Sequence, residues 1–142
     1  LPATIDLQAV VAEIARITKP GGRVVLVDTD WGSLSFTSND NALERMLSLF
    51  FASELRPNGF AGRDLLRFAK LPNLKEVELN VQPIVHRSLD QLPINWLVKE
   101  AKARNLAALE AIDNWQQSLQ SAQDRGEFMA TVNMVSLACE VI

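Results

Sequence analysis

The stretch Ile17–Leu34, ITKPGGRVVLVDTDWGSL, decides how the chain is read. Before it, Leu7, Val10, Val11, Ile14 and Ile17 recur at helical spacing, and Asp6 is placed to cap that helix. Pro20 stops the helix, because the residue before a proline is pushed out of the α region. Gly21 and Gly22 supply the positive φ angles of a tight turn. Val24, Val25, Leu26 and Val27 then run continuously instead of alternating, as in a parallel strand covered on both faces. The run closes on Asp28, and the polar composition from Thr29 to Asn41 reads as a loop carrying Asp30 and Trp31. Helix, tight turn and doubly buried strand make half of an α/β crossover unit.

Working outward, Leu43, Met46, Leu47, Phe50 and Phe51 predict a second helix, broken by RPNGFAG. RDLLRFAK predicts a short third helix that turns Leu65, Leu66 and Phe68 inward. Val77, Leu79 and Val81 alternate with Glu76, Glu78 and Asn80, the pattern of a half-exposed strand. Pro83 cannot donate to a ladder and so marks an edge position or a bulge. Residues 88–124 read as a helical insertion of two helices meeting near Asn105, with Ser88 and Gln91 at capping-box spacing. After a turn at DRGE, FMATVNMVSLACEVI predicts a final strand. The expected fold is an open α/β sheet whose last two strands are adjacent and antiparallel. A doubly wound sheet needs further parallel strands, which would precede Leu1.

With 142 residues the chain suits one domain and buries roughly 70% of its unfolded surface. Hydrophobic residues at 48% and charged residues at 22% describe an ordinary globular composition. A net charge of -3 argues against a nucleic-acid partner, and no apolar run approaches the ~20 residues that cross a bilayer. Cys139 stands alone, so neither an internal disulfide nor a zinc cluster is expected, and a reducing cytoplasm is the expected location. No His, Cys and carboxylate grouping has metal spacing.

Arg16, Ile17, Lys19, Pro20, Gly21, Gly22, the strand Val24–Val27 and Asp28 together resemble one segment of class I S-adenosylmethionine-dependent methyltransferases. That segment is the turn and fifth strand, in the branch of the family acting on small molecules. NGFAGRDLLRFAKLPNLKEVELN resembles the next helix and sixth strand, and the C-terminal WQQSLQSAQDRGEFMATVNMVSLACEV resembles the family's ending. The resemblance implies a Rossmann-like sheet of which residues 1–142 are the C-terminal portion, with S-adenosylmethionine as cofactor. It covers only the second half of that fold. The Gly-rich cofactor loop and the acid that grips the ribose have no counterpart here.

Ligands of open α/β sheets sit beyond the carboxyl ends of the strands. Asp28, Asp30 and Trp31 are therefore the expected acceptor-side residues, with Asp28 also a candidate toward the cofactor. A carboxylate there could favour the sulfonium charge or take the acceptor's proton, which makes Asp30 a candidate base. His86, the sole histidine, is a second candidate base, with a structural role as its other reading. Trp31 could cover a flat substrate. Trp96, on the helical insertion that often lids such pockets, is a candidate for acceptor contact or for packing, and Trp115 for packing. Two rival readings remain at this point. One is a non-catalytic methyltransferase-like module that forms a homodimer or binds a partner, and the other is a piece of a nucleotide-dependent oxidoreductase.

Overall fold

A computed structural model describes residues 4–142. The elements are α1 (Leu7–Ile17), β1 (Arg23–Phe36), α2 (Asn41–Phe50), α3 (Ala61–Phe68), β2 (Leu74–His86), α4 (Ile94–Ala103), α5 (Leu109–Asp124) and β3 (Ala130–Val141). A single π-helical turn, Phe51–Leu55, extends α2, and a 3-10 turn, Leu89–Gln91, precedes α4. The chain is α/β, with a three-stranded sheet in the order β1-β3-β2 and both pairings antiparallel. The last two strands are adjacent and antiparallel, as the sequence predicts.

Local chemistry explains the helix ends. The Asp6 carboxylate accepts from the Ala9 amide and starts α1, and Asp40 accepts from the Leu43 amide and starts α2. Gly21 turns the chain into β1 at φ +83°, where its amide donates to the Val141 carbonyl at 2.7 Å. The predicted capping box at Ser88 does not form. The Gln91 side chain instead accepts from the Arg87 amide, and α4 begins only after Pro93. The two insertion helices do part near Asn105, which takes a positive φ of 53°.

Side chains of β3 alternate between two cores. Ala130 and Val132 join Leu34, Phe36 and the inner faces of α2, α4 and α5, with Trp115 fully buried and its ring 5.7 Å from that of Phe36. Val135, Leu137, Cys139 and Val141 face the other way, with Val24, Val11, Ala15 and Leu65, under α1 and α3. Burying each large side chain is worth about 2–3 kcal/mol, so both cores contribute substantially.

Three expectations are corrected. First, among the described residues β1 lies at the sheet edge, pairs antiparallel with β3 and is not covered on both faces. Val24 is buried, but Val25 and Val27 are 64% and 55% exposed, because the helices on their face reach only its far end, around Phe36. Second, the segment from Thr29 is strand to Phe36, not loop. Its register breaks between Asp30 and Ser35, so residues 31–34 bulge outward opposite Val132. The bulge is held by bonds outside the ladder. The Ser33 hydroxyl donates to the Asp30 carbonyl at 2.6 Å and accepts from the Asn133 amide at 2.8 Å. Arg45 donates to the Gly32 carbonyl at 2.8 Å. Third, the apolar side of β2 is not half-buried, since Val77, Leu79 and Val81 are all exposed. A bulge between Glu76 and Glu78 also brings Glu76 into register with Cys139.

That placement has a measurable consequence. Burial pushes the Cys139 thiol above its ordinary pKa, and the Glu76 charge adds to the effect. A raised thiol pKa favours the neutral form in the fold, so it contributes stability below the unfolded thiol value, about 8.5. That contribution is lost as pH rises through the folded value. Thermal melts of the wild type should fall off above about pH 8.5 more steeply than those of Cys139→Ala. Parallel curves for the two proteins would contradict this.

Candidate functional site

The bulge in β1 sends its expected site residues to different faces. Asp28 and Asp30, in register with Val135 and Asn133, lie on the α1 and α3 side. Trp31, one residue on, packs against the other core. The sequence grouping Asp28, Asp30 and Trp31 is therefore split by the sheet.

Asp30 is buried, and Nε of Arg63 donates to both of its carboxylate oxygens at 2.9 and 3.0 Å. Arg63 stands in the first turn of α3, and that turn is seated by two glycines. The Trp31 amide donates to the Gly59 carbonyl at 2.9 Å, and a Cβ on Gly62 would stand 2.6 Å from the Asp30 amide nitrogen. Asp28 is half-buried and accepts a short, local bond from the Thr29 amide at 2.7 Å. No ion pair to Asp28 forms among the described residues. The two acids thus differ: Asp30 is committed to Arg63, whereas Asp28 keeps acceptor capacity.

On the other face an aromatic wall forms. The Trp31 and Phe51 rings meet edge to face at 5.4 Å, and Phe51 meets Trp96 in the same way at 5.9 Å. The Arg56 guanidinium lies 4.8 Å from the Trp31 ring centroid, while its Nε is buried without a hydrogen-bond partner among the described residues. Trp31 and Trp96, sixty-five residues apart, are joined here through Phe51 of the π-helical turn, a motif frequent at functional positions. Trp96 is partly exposed, so the wall is reachable from solvent.

His86 is not brought to this site. It ends β2 in register with Ala130, and its backbone lies two strands and three residues from Asp30, roughly 14 Å by sheet geometry. No group of three or more His, Cys, Asp or Glu residues suited to a metal occurs among the described residues. No described helix is long and apolar enough to cross a membrane.

Sequence reasoning missed Arg56, Arg63 and Phe51. The signal for Arg63 was present in Gly59 and Gly62, whose spacing lets α3 approach the strand closely. Nothing comparable marks Arg56.

No protein-family model matches the chain. An uncharacterized 37.1 kDa protein of transposon TN4556 from Streptomyces fradiae is 34% identical over 64 residues. That match covers 45% of this chain and 19% of the transposon protein, so this chain is similar to about a fifth of that protein's length.

Proposed function

We propose that the chain is the acceptor-side part of an S-adenosylmethionine-dependent methyltransferase acting on a small molecule. The observation that carries the reading is the sheet order. β1 and β2 each run antiparallel to β3, hence parallel to one another, with β3 between them. β1 enters from the Lys19–Gly22 turn and leaves one edge free, where further parallel strands of a Rossmann-like sheet would continue. A small acceptor held beside Asp28, on the α1 and α3 side of β1 and in line with the sulfonium methyl, gains much of its rate from that positioning. In the transfer, the acceptor's lone pair forms the new bond to the methyl carbon as the carbon–sulfur bond breaks. The acceptor's proton passes to a base, for which Asp28 has free capacity.

Under this reading residues 1–142 do not supply the Gly-rich cofactor loop. The cofactor would be held by a longer polypeptide. Calorimetric titration of S-adenosylhomocysteine into that polypeptide should show one site, and into the 142-residue chain little or none. No binding to the longer product would sink the reading. Binding to the short chain at equal affinity would refute the division of labour.

A further inference from the structure

We propose that β2 is a self-complementary edge through which two copies of this chain pair. The strand ends the sheet, and residues 75–83 are exposed on both faces. Leu79 and Val81 register with buried Leu137 and Val135, yet remain 42% and 50% exposed because α3 covers β1 and β3 but stops short of β2. A long open edge with uncovered apolar side chains is a template for another strand.

The order of residues says which strand. Antiparallel pairing on a two-fold axis through Asn80 sets Leu79 opposite the partner's Val81, and Val81 opposite the partner's Leu79. On that face the contact of Leu79 and Val81 with their partner counterparts is apolar. On the other face Asn80 meets the partner's Asn80, each amide able to donate and accept, and Glu78 meets the partner's Gln82. No like charges are opposed. The sequence VELNVQP is a palindrome in chemical character, which an isologous contact requires. On the other open edge a two-fold through Leu26 sets Val24 against the partner's Asp28, so that register is mismatched. A second copy of this chain is thus the occupant that matches, giving one continuous six-stranded sheet.

A contact confined to one strand edge falls at the small end of protein interfaces, so the dimer should dissociate in the micromolar range. The inference stands apart from the methyl-transfer reading, since no cofactor enters its test. Sedimentation equilibrium of the 142-residue chain should show reversible dimers. Asn80→Lys opposes two cations on the axis and should weaken the dimer at least about tenfold. Gln82→Lys sets a lysine opposite each Glu78 and should tighten it about three- to tenfold. Both positions are exposed, and circular dichroism verifies the fold. Should Asn80→Lys fail to fold, the tightening by Gln82→Lys decides. A chain monomeric up to about 1 mM, or a dimer indifferent to both substitutions, overturns the proposal.

Discussion

Gly59→Ala should lower the urea midpoint more than any other single-methyl addition in the β1–α3 contact, costing about 2–4 kcal/mol. For a domain of this size that is a fall in Tm of about 6–15 °C. The cause is steric, because a Cβ at Gly59 would stand far inside van der Waals contact distance of the Ala52 carbonyl oxygen. Backbone, unlike the end of a flexible side chain, cannot move aside cheaply. Gly62→Ala faces a similar wall: its Cβ would stand 2.6 Å from the Asp30 nitrogen and 2.7 Å from the Thr29 carbonyl carbon. Both glycines seat the same segment, so their effects should not add. A Cβ at Gly59 presses residues 59–62 away from the π-helical turn, and one at Gly62 presses them away from β1. Once either has displaced this short segment the second meets less resistance, and the double variant should lose less than the sum. Equilibrium denaturation with an unchanged m-value checks this. Full additivity would mean that the two contacts relax independently and that the segment is not one rigid seat.

The same contact shows what the sequence made legible and what it did not. The helix α1, its Asp6 cap and the Gly21 turn follow from short-range rules that act within a few residues. So does the parting of two helices at Asn105, whereas the antiparallel final pair follows from the order of elements. The run Val24–Val27 was misread because four apolar residues report hydrophobicity, not what covers them. In this chain one side of that run packs under α1 and α3, and the other lies open at Val25 and Val27. The polar stretch after Asp28 was misread for a different reason. Composition predicts a loop, but the strand persists because Ser33, Arg45 and the Gly59 carbonyl supply long-range partners for a four-residue bulge. Such partners lie 13 to 100 positions away and leave no local trace. The bulge then decides the site, since it separates Asp30 from Trp31 and carries Trp31 to Phe51 and Trp96.

Arg63→Ala should destabilise the protein more than Asp30→Asn, by about 2 kcal/mol against less than about 1. The asymmetry comes from unequal burial of the pair, with the Asp30 side chain 10% exposed and that of Arg63 48%. Removing the guanidinium strands a carboxylate in a nearly dry position, whereas removing the carboxylate's charge frees an arginine that water can reach. A double-mutant cycle isolates the coupling, and urea midpoints of the four proteins give it directly. Equal losses for the two single variants would show that the pair is hydrated on both sides. The comparison also assigns the acids under the methyl-transfer reading. If Asp30 serves the fold through Arg63, then in the longer polypeptide Asp30→Asn should keep most of the turnover. Asp28→Asn should lose turnover while melting like the wild type, because no cation in the described structure is paired with Asp28. The reverse pattern, with Asp30→Asn inactive and Asp28→Asn active, would make Asp30 the proton acceptor. The ion pair with Arg63 would then have to open during turnover.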